Sequence, residues 1–85
     1  MPAKSLIFEK KVQKQLLKIP LPVHRRVITA LRSIQTNPVS GIKLHGELKD
    51  YYKFRVGDYR IVYRFDSKEK IVYVVKIEHR QGVYR

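Results

Sequence analysis

Eighty-five residues hold one small hydrophobic core and leave no room for a second, so the chain reads as a single domain spanning 1–85. Hydrophobic residues at 44% and aromatics at 11% exclude a disordered chain, and the absence of cysteine excludes disulfides and thiolate metal sites. Nineteen Lys and Arg against seven Asp and Glu give a formal net charge of +12, a self-repulsion that calls for an anionic partner. Nucleic acid fits that partner first and an acidic protein second. A membrane surface fits poorly, because no long apolar segment or polybasic amphipathic anchor is present. Lys10, Lys11, Lys14 and Lys18 break up what a signal peptide would need as an apolar run, so a cytoplasmic protein is expected.

In chain order, Leu6-Ile7-Phe8 suits a first strand within Ala3 to Phe8. From Glu9 the period changes: Phe8, Val12 and Leu16 stand four apart, with Leu17 and Ile19 beside them and lysines on the other side. This predicts an amphipathic helix ending before Pro20. Pro22 sits in the first turn of a second helix, where its missing N–H is harmless. Val23, Val27, Ala30, Leu31 and Ile34 make the apolar stripe of that helix, and Asn37-Pro38 stops it. The short connection predicts an antiparallel helix pair. Val39 to Asp50, with Gly41 and Gly46, reads as a basic loop carrying Lys43, His45 and Lys49.

The stretch from Tyr52 to Phe65 is the most informative. Two alternating runs flank Gly57-Asp58, a pair with hairpin-turn chemistry. A two-residue loop there pairs Val56 with Tyr59, Arg55 with Arg60, Phe54 with Ile61, Lys53 with Val62 and Tyr52 with Tyr63. Alternation then sorts the hairpin into two faces. One carries Tyr52, Phe54, Val56, Tyr59, Ile61, Tyr63 and Phe65; the other carries Lys53, Arg55, Arg60, Val62 and Arg64. Like charges facing each other across a ladder cost about 0.2–1 kcal/mol per pair. A solvated face that protects the sheet needs no single sign, so the broken rule points to a bound polyanion. Asp66 to Lys70 reads as a turn, and Ile71 to Ile77 as an apolar strand inside the sheet. The fold class is α+β: an N-terminal strand, two helices, then three antiparallel strands, with Val27, Leu31, Phe54, Ile61, Tyr63, Val75 and Ile77 expected between helices and sheet.

The seven carboxylates are scattered, without a general acid/base pair, and His24, His45 and His79 lack metal-ligand spacing. No metal or other cofactor is expected. What remains is a basic face and a basic, aromatic tail, which are enough for cleavage within RNA. The 2′-hydroxyl is then the nucleophile, and arginines stabilise the phosphorane. A tyrosine can take the proton when neighbouring cations lower its pKa from about 10. Tyr84 has Arg80 and Arg85 close by in sequence; by spacing alone it serves equally well as a hydrophobic plug.

The run YYKFRVGDYRIVYRF, the apolar strand after it and IEHRQGVYR together resemble the RelE branch of the RelE/ParE toxin superfamily. Asn37-Pro38, Lys43-Leu44-His45-Gly46 and the paired helices fit the same pattern, so the resemblance covers essentially the whole chain. It implies a compact microbial RNase fold and a type II toxin. Such toxins cleave messenger RNA in the ribosomal A site without metal and are held in check by an acidic antitoxin, in a toxin–antitoxin hetero-oligomer. Position by position, Lys53 resembles the residue that helps activate the 2′-hydroxyl, Arg60 the transition-state arginine, Arg80 the leaving-group arginine and Tyr84 the general base. Arg55 stands where a second basic residue, often Lys, is found, and takes a phosphate-binding role with Arg64, Lys43 and His79. A histidine near His79 serves as acid or base in other branches. Two further readings stay open: a ParE-like toxin that poisons DNA gyrase without cutting RNA, and an RNA-binding module without chemistry.

Overall fold

The computed structural model describes residues 2–44, 46 and 50–79. Its elements run β1 (Ser5–Phe8), α1 (Lys10–Lys18), α2 (Leu21–Thr36), β2 (Ile42–Lys43), β3 (Tyr51–Val56), β4 (Tyr59–Asp66) and β5 (Ile71–His79). The strands form one sheet in the order β1-β5-β4-β3-β2. β2 through β5 pair antiparallel wherever they touch, whereas β1 joins β5 in parallel after the chain has passed through both helices. The expected α+β order therefore holds, and β2 is an addition. Two residues inside the stretch expected to be a loop pair with β3, Ile42 opposite Lys53 and Lys43 opposite Tyr52. A two-residue strand is too short to show any period, so nothing in the residue pattern signals it.

Both helices cover one face of the sheet, α1 lying against β5 and α2 against β3. The core is closed by Val12 from α1, by Val27, Ala30, Leu31 and Ile34 from α2, and by Val56, Ile61, Tyr63, Val72, Val74 and Ile77 from the strands. Leu6, Phe8, Leu16, Val23 and Phe54 pack against it while keeping some exposure. Phe54 thus lies half-buried at the rim, short of the full burial expected. Leu17 departs further: it is 85% exposed, because the face of α1 that meets β5 is set by Val12 and Leu16.

The β3–β4 register matches the expected one residue for residue, from Val56 opposite Tyr59 to Tyr52 opposite Tyr63. Gly57 takes a φ of +57° at the turn, a left-handed conformation that glycine adopts without penalty. The β4–β5 pairing contains a bulge instead: Val62 faces Lys76 while Tyr63 faces Val74, so Val75 is the extra residue. The bulge takes Val75 out of the core, where unbroken alternation would place it, and lets Val74 and Ile77 both face the helices. Although β5 lies inside the sheet between β1 and β4, burial is concentrated on its helix side. Past Val74 it has no β1 partner, and the Gln15 side-chain oxygen on α1 accepts the Ile77 N–H at 3.0 Å.

Tyr63 fixes the loop between α2 and β2. Its ring is fully buried and stacked on Tyr52 at 5.3 Å, and its hydroxyl donates to the Pro38 carbonyl at 2.7 Å. The same oxygen accepts the Gly41 N–H at 3.1 Å. A Cβ on Gly41 would stand 2.7 Å from that oxygen and 2.8 Å from the Lys53 carbonyl, so only glycine fits there unchanged. Burial raises the Tyr63 phenol above its ordinary pKa, against the opposing pull of its Gly41 and Ser40 hydrogen bonds. A raised pKa contributes stability that is present below the unfolded value, about 10, and is lost as pH rises through the higher folded value. Tyr63→Phe should destabilise the fold by about 1–3 kcal/mol in denaturant titrations at neutral pH, since it strips partners from the buried Pro38 carbonyl and the part-buried Gly41 N–H. The difference between wild type and variant should shrink above pH ~10.

Candidate nucleic-acid interface

On the face turned away from the helices, the ladder lines up three rows of side chains. The first holds Arg55, Arg60 and Glu78; the second Ile42, Lys53, Val62 and Lys76; the third Tyr51, Arg64, Tyr73 and Ile7. Four of the cations expected to share this face, Lys53, Arg55, Arg60 and Arg64, do share it. They are held there by the burial of their alternate neighbours, Ile61 and Tyr63 above all. Lys53 has a further constraint, because its carbonyl is packed against Gly41 within reach of the Tyr63 hydroxyl clamp.

The face is not of one sign. Glu78 places one carboxylate oxygen 3.0 Å from Lys76 Nζ and the other 3.9 Å from Arg60 Nη1. The carboxylate is partly buried, so it offsets the repulsion between Arg55 and Arg60 that their direct pairing creates. In the sequence Glu78 is one of seven scattered acids, and only the β4–β5 register brings it beside Arg60. Lys53 and Arg55 have no carboxylate partner among the described residues. Arg55 instead donates from Nε to the Gly57 carbonyl at 3.2 Å, which turns its guanidinium toward the hairpin tip. Arg64 lies 4.4 Å from the centroid of the Tyr73 ring, a cation–π contact that leaves an aromatic surface beside a positive charge.

Two expected phosphate ligands stand elsewhere. Lys43 is exposed and in register with Tyr52, on the other face of the sheet from Lys53. His79 is in register with Tyr59 and meets its ring edge-on, with centroids 4.7 Å apart and planes at 72°. That puts it on the helix side of the sheet, out of line with Arg60 and Glu78. Arg80 and Tyr84, the other two expected catalytic residues, lie outside the described residues. Tyr51 and Tyr73 join the face without having been singled out by sequence reasoning. The alternation that places Arg64 also places Tyr51, but Tyr73 depends on the bulge, which no residue pattern announces. Among the described residues no three His, Cys, Asp or Glu side chains gather into a metal-holding group.

Comparison with known proteins adds an independent line. A model of the ParE toxin of the type II toxin–antitoxin system, parDE, matches residues 6–84. Toxin RelG of Mycobacterium tuberculosis is 29% identical over 80 residues, covering 92% of either chain. Among solved structures, a chain of the toxin–antitoxin complex RelBE2 from Mycobacterium tuberculosis superposes with a TM-score of 0.82 at 26% identity, over 94% of both chains. The archaeal RelE–RelB complex from Pyrococcus horikoshii gives 0.79 at 30% identity, over 94% of this chain and 97% of the other. A mutant of the E. coli toxin RelE in the free state shares the fold, with a TM-score of 0.80 at 24% identity, over 94% and 86% of the two chains.

Glu78 makes the electrostatics of this face testable. Removing its charge in Glu78→Gln frees Arg60 and Lys76 for an outside anion. Binding to a single-stranded polyanion should tighten by roughly two- to fivefold at low salt, with later elution from a heparin column. Weaker binding would mean that Glu78 serves to aim the two cations, and not to neutralise them.

Proposed function

This chain belongs to the RelE/ParE superfamily of type II toxin–antitoxin toxins, and from that premise we propose that it is an endoribonuclease cutting messenger RNA in the ribosomal A site. The observation that carries the reading is the union of Lys53, Arg55 and Arg60 on one sheet face, with Lys53 and Arg55 unpaired by carboxylates among the described residues. A gyrase-binding toxin has no need of that arrangement. Phosphoryl transfer has, because it must place cations around a phosphate that gains negative charge in the transition state.

In the proposed reaction the RNA supplies its own nucleophile. Tyr84 takes the proton of the 2′-hydroxyl, whose oxygen bonds to phosphorus. Lys53 lies against that hydroxyl and the scissile phosphate and favours the alkoxide. Arg60 and Arg55 hold the non-bridging oxygens, with guanidinium forks that suit two oxygens at once. The bond from phosphorus to the 5′-oxygen then breaks; Arg80 stabilises the negative charge on that oxygen, which takes its proton from solvent water. No metal or other cofactor has a part in this scheme. Arg64 and Tyr73 offer a surface for a neighbouring base, while Lys43 and His79, on the other side of the sheet, take only outlying roles.

The partner of the resting protein is proposed to be an acidic antitoxin, forming a hetero-oligomer in the cytoplasm. The M. tuberculosis and P. horikoshii structures are of such toxin–antitoxin complexes. Among the described residues no helix is long and apolar enough to cross a membrane.

Three variants separate the proposed roles in single-turnover cleavage on programmed ribosomes. Tyr84→Phe should keep ribosome binding and slow cleavage by about 10²–10⁴-fold, the usual loss when a general base is removed. Arg80→Ala should also be slow, and a 5′-thio leaving group, which departs readily as an anion, should restore much of the rate. Arg60→Ala should not respond to that substrate, because its task is charge on the phosphorane. A fully active Tyr84→Phe beside a dead His79→Ala would pass the base to the histidine. Toxicity without cleaved messenger RNA in all variants would favour the gyrase reading.

A further inference from the structure

A second cationic site lies around the edge of the sheet from the first. Between α2 and β3 there is a groove of about 450 Å³, lined by Arg25, Arg26, Thr29, Phe54, Arg55 and Gly57 among others. Its walls carry three guanidiniums, and among the described residues none of them is within ion-pair distance of a carboxylate. Two of them converge on the hairpin tip. Arg55 donates to the Gly57 carbonyl at 3.2 Å, and the Arg26 terminal nitrogens lie 3.5 Å from where a Cβ on Gly57 would stand. Asp58, the next residue of the turn, is not within ion-pair distance of either, so the two like charges repel each other and a bound anion would reduce that cost. The Thr29 hydroxyl donates to the Arg25 carbonyl at 3.1 Å and the Ser33 hydroxyl to the Thr29 carbonyl at 3.3 Å, so their donors are spent within α2 and the guanidiniums are left to hold an anion. The half-buried Phe54 and the buried Ala30 and Val56 supply an apolar floor.

We propose that this groove binds a second stretch of RNA backbone, continuous with the polyanion on the outer face, and that Arg55 is the residue shared between the two. The choice of RNA rests on the reading of the protein as acting on RNA. An acidic peptide has matching charge as well. What favours RNA is the continuity: Arg55 stands in the first row of the outer face and in the groove wall, so one phosphate chain passing over the Gly57 tip meets Arg60, Arg55 and Arg26 in turn. Guanidinium forks bind phosphate oxygens in pairs, and the groove volume accommodates about one nucleotide, at the small end of ligand pockets. The site supplies grip and register, with no reacting group of its own.

The test uses a short single-stranded RNA with 2′-O-methyl groups, which has no nucleophile and is not cut, in fluorescence anisotropy. Its affinity is followed from about 50 to 200 mM salt, where each lost phosphate contact on a single strand flattens the log–log slope by about 0.7. Arg25→Gln/Arg26→Gln should flatten the slope by about 0.7, the one phosphate the groove holds, and weaken binding about fivefold or more at the lower salt. Lys10→Gln/Lys14→Gln, which removes the same charge from the exposed side of α1, should leave the slope at the wild-type value. An unchanged slope in the arginine variant, or an equal change in the lysine variant, overturns the proposal. So does a polyglutamate peptide whose binding needs the arginines while RNA binding does not. Cleaved messenger RNA with an unmoved slope removes the groove and leaves the nuclease standing. A slope that depends on the arginines without any cleavage does the reverse.

Discussion

The register of the β3–β4 hairpin is the constraint from which the rest of the molecule follows. A strand has a period of two, so slipping the pairing by one residue would carry Phe54, Ile61 and Tyr63 into solvent and Lys53, Arg55 and Arg60 into the core. Burying three cations without partners costs far more than the hairpin's other choices can recover. Gly57 removes the alternative at the turn itself, by adopting the left-handed conformation a two-residue loop requires. Core formation thus decides which positions face outward, and the choice of Lys and Arg at those positions is what the core does not require.

Two interactions tune that face without belonging to the alternation. The Tyr63 hydroxyl ties Pro38 and Gly41 to the sheet and so seats β2 beside Lys53, which gives the lysine a neighbour, Ile42, on an otherwise open edge. Glu78 balances Arg60 and Lys76 and leaves Lys53 and Arg55 as cations without a carboxylate partner among the described residues. A phosphate arriving at this surface therefore meets its strongest attraction between Lys53 and Arg55, and competes with Glu78 for Arg60. In the proposed reaction, electrostatic pre-organisation of this kind would come from the fold itself.

What the sequence makes legible is what alternation and turn chemistry encode. Spacing alone assigns Lys53, Arg55, Arg60 and Arg64 to one face, and a period near four bounded by Pro20, Pro22 and Pro38 marks both helices. Contacts between distant segments are not legible. Neither the bulge that expels Val75 and aligns Glu78 with Arg60, nor the two-residue β2, leaves a periodic trace, because each depends on pairing between strands. The family resemblance groups His79 with the phosphate ligands, yet its register with Tyr59 puts it on the helix side of the sheet, where it meets the Tyr59 ring edge-on. The cluster of Arg25, Arg26 and Arg55 shows the same limit: nothing in the sequence joins residues 25 and 26 to residue 55 until α2 is laid beside the hairpin tip.

The central claim is that this surface activates the RNA's own 2′-hydroxyl, and the ends of the cut strand report on it directly. Messenger RNA cleaved on the ribosome by the purified protein should carry a 2′,3′-cyclic phosphate on the upstream fragment and a 5′-hydroxyl on the downstream one. Those ends arise only if the neighbouring hydroxyl is the nucleophile. A 3′-hydroxyl paired with a 5′-phosphate would mean that water attacked instead, and would contradict the proposed roles of Lys53, Arg60 and Tyr84.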